Sequence, residues 1–104
     1  MKRIFLLVAA LMLMLSATAF AERGVIVFCN DRSGVIIIGT NMGYTCGTSY
    51  YVPFGVEQGN QVGGDFSSYG PHEIYDLTAN VTFQLFIDEY WVSEHDALQW
   101  LQRQ

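Results

Sequence analysis

Val35, Ile36, Ile37 and Ile38 form an unbroken run of four β-branched residues. Side chains alternate between the two faces of a strand, so a strand built from this run carries apolar groups on both faces. Turn-forming residues lie on either side of the run, at 30–34 and 39–41. The run therefore predicts a short strand that is buried on both faces.

Apolar and polar residues alternate over residues 81–87, which places four apolar side chains on one face: Val81, Phe83, Leu85 and Ile87. This is the clearest strand pattern in the chain. Residues 25–29 and 48–54 are further strand candidates because they are rich in β-branched and aromatic residues. Residues 72–80 alternate like a strand, although Pro71 could also begin a short helix there.

A short helix is predicted after Ser93, which suits an N-cap position with Asp96 three residues later. Ala97, Trp100 and Leu101 recur at spacings of three and four, so they share one apolar face. We expect a mainly β fold, a small antiparallel sandwich or barrel, with one short C-terminal α-helix packed on the sheet. The class is α+β if the helix is counted.

The N-terminus has the three parts of a cleavable signal peptide. Lys2 and Arg3 precede an apolar run over residues 4–15, and Ala19 and Ala21 form a small-x-small cleavage pattern. A retained membrane anchor is the alternative, because residues 4–21 carry no charge. The cleavage pattern favours an exported protein, periplasmic or secreted. It would have a signal peptide over residues 1–21, one domain over residues 22–104 and no membrane insertion after cleavage.

The charge balance is acidic. Loss of Lys2 and Arg3 with the signal peptide leaves three arginines against ten carboxylates, so the net charge changes from −5 to −7. Such a charge repels phosphate backbones, which disfavours nucleic acid as a partner and allows a cationic protein. The alternative is that the charge serves solubility alone.

Cys29 and Cys46 are the two cysteines of the chain. In an exported protein an even number of cysteines favours a disulfide, and closing a loop of this length would stabilise the domain by about 3 kcal/mol. Two free thiols are the alternative. A simple meander would place the two cysteines too far apart, so the bridge requires the chain to cross between layers after Ile38.

Residues 55–71 are rich in glycine and lack apolar periodicity, which predicts a long loop. Four of these residues mix aromatic rings with small hydroxyl side chains, a composition typical of recognition loops: Phe66, Ser67, Ser68 and Tyr69. They are the candidate binding loop. The alternative is an irregular edge strand whose aromatic residues cover the core.

His72 and His95 are the two histidines of the chain and its candidates for a catalytic or metal-binding role. Neither stands in a catalytic motif, and the carboxylates beside them do not repeat at a metal-ligand spacing. We therefore predict that the protein is not an enzyme and has no catalytic residues, no metal site and no cofactor.

Residues 25–31, Val-Ile-Val-Phe-Cys-Asn-Asp, resemble the opening strand of the small periplasmic inhibitors of C-type lysozymes, a family of disulfide-bearing β-barrels. The resemblance covers these residues alone. The serine-rich and lysine-glycine inhibitory loops of that family have no counterpart here. The short spacing between Cys29 and Cys46 also departs from the family.

Three function classes follow from these patterns. The first is a small acidic binding protein, such as an inhibitor, immunity factor or accessory subunit, that contacts a cationic protein through residues 55–71 and neighbouring tyrosines. The second is a structural protein of the envelope or of a secreted assembly that self-associates through an exposed strand. The third is a small hydrolase or metal-binding protein, which requires His72 or His95 beside a carboxylate.

Overall fold

The computed structural model describes residues 21–104, so the predicted signal peptide lies outside the described residues except for Ala21. The described part contains six strands and one helix: β1 (Glu22–Cys29), β2 (Val35–Thr40), β3 (Gly43–Thr48), β4 (Gln61–Gly64), β5 (Gly70–Asp76), β6 (Val81–Val92) and α1 (Glu94–Gln102). The prediction of a mainly β fold with a short C-terminal helix is confirmed.

The six strands form a closed antiparallel barrel in the order β1-β2-β3-β6-β5-β4, and β4 pairs with β1 to complete the ring. Of the two architectures expected, the structure is the barrel. Closure gives each of these strands a hydrogen-bonded neighbour on both sides.

The barrel interior is filled by apolar side chains that come from five of the strands and from two loops: Ile26, Ile36, Ile38, Val56, Val62, Phe66, Ile74, Phe83, Leu85 and Ile87. The alternation predicted over residues 81–87 is confirmed, because Phe83, Leu85 and Ile87 are buried while Gln84 and Phe86 are exposed.

β2 is buried on both faces, as the run of β-branched residues predicts. Ile36 and Ile38 pack inside the barrel, whereas Val35 and Ile37 pack on the outer wall beneath α1. The helix covers them with the buried residues Ala97 and Trp100. One strand therefore takes part in both cores.

The predicted cap of α1 is confirmed. The Ser93 hydroxyl accepts a hydrogen bond from the Asp96 backbone N–H at 3.2 Å. At the other end of the helix, the Trp100 indole N–H donates to Asp88 Oδ2 on β6 at 3.3 Å. The cap and this bond fix the helix against the barrel wall.

The predicted disulfide is wrong, because Cys29 and Cys46 are both free. Cys29, on β1, pairs with Ile36 of β2, and Cys46, on β3, pairs with Ile37 of β2. Strand β2 therefore separates the two cysteines. Two strand spacings amount to about 10 Å, beyond the reach of a disulfide. The two thiols also face opposite sides of the sheet, since Cys29 packs against the interior and Cys46 lies under α1.

A bulge in β1 determines which side of the sheet each of its later side chains faces. Ile26 pairs with Ile38 and Phe28 pairs with Ile37, so Val27 is an extra residue in the ladder. Phe28 consequently faces the helix rather than the interior. Burial, with a smaller contribution from nearby carboxylates, raises the pKa of the Cys46 thiol to about 12, so it packs as a small neutral group.

Two segments differ from their predicted form. The strand expected over residues 48–54 is wrong: β3 ends at Thr48, and residues 49–60 form a loop. The stretch 55–71 is neither one long loop nor an edge strand, because it contains β4, which closes the barrel, and the start of β5. For residues 72–80 the strand interpretation is confirmed as far as Asp76, where β5 ends.

Candidate functional site

Two loops close the two ends of the barrel. We call residues 49–60 the aromatic loop and residues 65–69 the capping loop. The capping loop lies at the Glu22 end of β1, because the Phe66 backbone N–H donates to Glu22 Oε1 at 3.2 Å. The aromatic loop lies at the Cys29 end, where the Cys29 thiol approaches the Val56 carbonyl oxygen at 3.7 Å.

The capping loop contains all four residues of the candidate binding loop. Phe66 is wholly buried and belongs to the interior core. The Thr45 hydroxyl donates to the Phe66 carbonyl oxygen at 3.1 Å, which fixes the backbone at this point. Phe66 therefore closes the barrel from inside.

The two serines of the capping loop bond locally. The Ser67 backbone N–H and hydroxyl both donate to Asp65 Oδ1, at 3.0 and 2.9 Å. These bonds, with a smaller contribution from His72, lower the pKa of Asp65. The Ser68 hydroxyl lies 2.8 Å from His72 Nε2. The serines are thus engaged in holding the turn.

Tyr69 is the exposed member of the four, with 67 % of its surface in solvent. Its ring packs on Tyr90 at a centroid distance of 4.9 Å, and Tyr90 meets Trp91 edge-on at 5.8 Å. The Trp91 indole N–H donates to Glu22 Oε2 at 3.1 Å. These rings contact one another, and Trp91 is hydrogen-bonded to β1. They are therefore held by contacts within the chain.

The aromatic loop differs, because its rings lie in water. Tyr50 and Phe54 are almost completely exposed, at 105 % and 99 %, and Tyr51 is 74 % exposed. No aromatic contact in the described part of the chain involves any of the three. The sequence prediction placed most of these residues in a strand and missed them as a site; the signal available was the pair Pro53 and Gly55, which disfavours a strand.

Buried polar groups hold the backbone of this loop. Asn60 Nδ2 donates to the Gly55 carbonyl oxygen at 2.7 Å and to Asp76 Oδ2 at 2.9 Å. The other carboxylate oxygen of Asp76 accepts from the Ala79 backbone N–H at 2.8 Å. Asp76 is fully buried, so the aromatic loop is anchored to the end of β5 by a satisfied network.

A groove of about 430 Å³ lies between the aromatic loop and the Cys29 end of β1, lined by Cys29, Asp31, Tyr51, Val52, Pro53, Phe54, Gly55, Val56 and Glu57. It combines aromatic rings with the carboxylates of Asp31 and Glu57. Burial, followed by the charges of Asp31, Asp76 and Glu57, raises the pKa of the Cys29 thiol.

A smaller pocket of about 170 Å³ adjoins the first residues of the loop and is lined by Thr48, Tyr50, Phe86 and Asp88. Phe86 is half exposed. Within residues 21–104 the one ion pair joins Arg103 to Glu89 at 3.9 Å. The carboxylates around the aromatic loop therefore lie beside apolar rings without a cationic partner from the described chain.

The two histidines lie in different places, His72 on β5 and His95 in the first turn of α1. Among residues 21–104, no three histidine, cysteine or carboxylate side chains come together in a way that could hold a metal ion. His72 Nε2 lies 2.8 Å from the Ser68 hydroxyl, and no ion pair within the described residues joins His72 to a carboxylate.

No helix in the described region has both the length and the apolar character needed to cross a membrane. Comparison with protein-family models, with curated proteins and with solved structures finds no match to this chain.

Proposed function

We propose that this chain is an exported acidic binding protein that engages a cationic protein through the aromatic loop. The observation that carries the proposal is the exposure of Tyr50, Tyr51 and Phe54 on one anchored loop beside unpaired carboxylates. The proposal covers an inhibitor, an immunity factor and an accessory subunit.

Exposed rings on one loop favour a binding role. Burying each ring against a partner removes a large apolar area from water, and tyrosine is enriched at protein interfaces. The Ser49 hydroxyl donates to the Tyr51 carbonyl oxygen at 2.8 Å and the Asn60–Asp76 network holds Gly55, so association costs little additional ordering of the loop backbone. The rings would serve as the central anchors of the interface.

The acidic charge supports a cationic partner. After loss of the predicted signal peptide the net charge is −7, which attracts a basic protein over a distance that depends on salt. Asp31 and Glu57 line the groove together with Tyr51 and Phe54, and Asp88 lines the smaller pocket together with Tyr50. The proposed interface therefore has an apolar centre and an acidic rim.

Closure of the barrel weighs against the alternative of a self-associating assembly protein. Pairing through an exposed strand needs a free edge, and each of the six described strands has neighbours on both sides. Strand addition would have to open the ring first. The binding role is therefore the better supported of the two.

The test is affinity capture with the purified protein from envelope and secreted extracts, at low and at high salt. Three baits are compared: the wild type, the triple variant Tyr50→Ala, Tyr51→Ala and Phe54→Ala, and the control Tyr69→Ala. We expect a basic protein that the wild type and the control retain at low salt and release at high salt. The triple variant should lose it.

Two results would contradict the proposal. Equal capture by the triple variant, with loss in Tyr69→Ala, would move the interface to the capping loop. Capture of the bait's own chain alone would support the assembly alternative.

A further inference from the structure

We infer that the groove along the aromatic loop is a socket for one arginine side chain of the partner. The socket is lined by two aromatic residues with exposed rings, Tyr51 and Phe54, and by two acidic residues, Asp31 and Glu57. The inference rests on the proposed function and specifies the chemistry of its central contact.

An arginine side chain suits both kinds of residue at once. Its planar guanidinium stacks on aromatic faces and donates several hydrogen bonds to carboxylates, whereas an ammonium is a compact and strongly hydrated charge. A purely apolar side chain would bury Asp31 and Glu57 without partners, which is costly. The groove volume of about 430 Å³ leaves room for the whole side chain.

The chain does not fill this socket with a charge of its own. Arg32 is next to Asp31 in sequence, but within the described residues neither Asp31 nor Glu57 forms an ion pair. The Arg32 backbone N–H instead donates to Asn30 Oδ1 at 3.0 Å as part of the turn between β1 and β2. The two carboxylates therefore remain available to an external cation.

The walls of the socket are fixed by backbone hydrogen bonds. The Val56 N–H donates to the Pro53 carbonyl oxygen at 3.2 Å, and the Gly59 N–H donates to the Ile26 carbonyl oxygen at 2.7 Å on β1. The Asn60 N–H donates to the Glu57 carbonyl oxygen at 3.2 Å. The backbone that frames the groove is thus ordered before a ligand arrives, which lowers the entropic cost of binding.

The experiment is an NMR titration of the 15N-labelled protein with N-acetyl-arginine amide. The neutral isostere N-acetyl-citrulline amide is the matched ligand control. We expect arginine to shift the amide signals of Asp31, Tyr51 and Glu57, with a dissociation constant on the order of millimolar. Citrulline should produce shifts roughly fivefold smaller or less, because it lacks the charge.

Two variants test the carboxylates. Asp31→Asn with Glu57→Gln should abolish the arginine shifts. The control, Glu73→Gln with Glu94→Gln, makes the same change in net charge at exposed residues outside the groove and should keep them.

Equal shifts from citrulline, shifts centred outside the groove, or no shifts with arginine near 50 mM, about fiftyfold above a constant of 1 mM, would overturn the socket. The socket and the proposed function fail separately. Salt-sensitive capture that depends on the exposed rings can persist even when free arginine does not bind.

Discussion

The two loops that close the barrel are built from similar residues and do opposite things with them. The capping loop turns its phenylalanine inward, where Phe66 is wholly buried, and the aromatic loop turns Phe54 outward, where it is 99 % exposed. Each loop nevertheless contributes one plug to the interior core. In the aromatic loop that plug is Val56.

The comparison teaches that one end of a small barrel has room for only one or two side chains from its loop. Once Val56, with partial help from Val52, fills the Cys29 end, the three rings of the aromatic loop have no interior space to enter. They remain in water at a hydrophobic cost, which a binding partner would remove.

The largest expected effect on stability is the difference between two single variants, in which one phenylalanine or the other is replaced by alanine. Phe66→Ala should lower the free energy of unfolding by about 3–5 kcal/mol, because it leaves a cavity in the core. Phe54→Ala should change it by less than about 0.5 kcal/mol, since the ring makes little contact. Urea denaturation of both variants measures the difference. Similar losses would show that the two loops do not differ as described.

A smaller effect is expected at the anchor of the aromatic loop. Asp76→Asn places an amide donor against either Asn60 Nδ2 or the Ala79 N–H, and should cost about 1–3 kcal/mol. Amide hydrogen exchange in residues 55–60 should accelerate in this variant more than in the capping loop. Glu57→Gln, at an exposed position of the same loop, is the control and should leave exchange unchanged.

In the capping loop the Asp65 carboxylate accepts hydrogen bonds from Ser67, and the stability that these bonds contribute should depend on pH. The pKa of Asp65 is lower in the folded chain than its usual value of 3.8, so the ionised carboxylate stabilises the fold at neutral pH. This contribution is lost as the pH falls from 3.8 through the folded value. Because Asp65 is exposed, Asp65→Asn should cost less than about 1 kcal/mol at pH 7.

Thermal unfolding of the wild type and Asp65→Asn between pH 2 and pH 7 tests this. The two curves should converge at the acidic end. A difference that stays constant with pH would mean that the amide disturbs the turn by its shape rather than by its charge.

The smallest expected effect concerns the charge beside the groove. Arg32→Gln removes the cation nearest in sequence to Asp31, so association with a basic partner should become about two- to threefold tighter at low salt. At high salt the variant and the wild type should agree. Fluorescence titration at two salt concentrations checks this, and a weakened association would place Arg32 in the interface as a donor.

Much of the fold follows from local sequence patterns. The run Val35–Ile38 specifies a strand between two cores, the alternation over residues 81–87 specifies β6, and Ser93 marks the start of α1. In these segments the local pattern and the tertiary packing agree, which is why reading the sequence succeeds.

The disulfide and the candidate site depend on information that local patterns lack. The bulge at Val27 and the position of β2 between the two cysteines come from strand pairing, so spacing in the sequence does not reveal them. Likewise, nothing in the sequences around Phe54 and Phe66 states which ring faces inward. The direction of each ring depends on which side chain fills the interior at that end of the barrel, and at the Cys29 end this side chain is Val56.

The hydrogen bonds of Glu22 also have a consequence for the time course of folding. This first residue of β1 accepts hydrogen bonds from Phe66, 44 positions away, and from Trp91, 69 positions away. Both bonds can form only after distant parts of the chain have come together. Barrels dominated by such distant pairings fold in milliseconds to seconds rather than microseconds. During that interval the ring is open, and its first strand offers an unpaired edge to other chains.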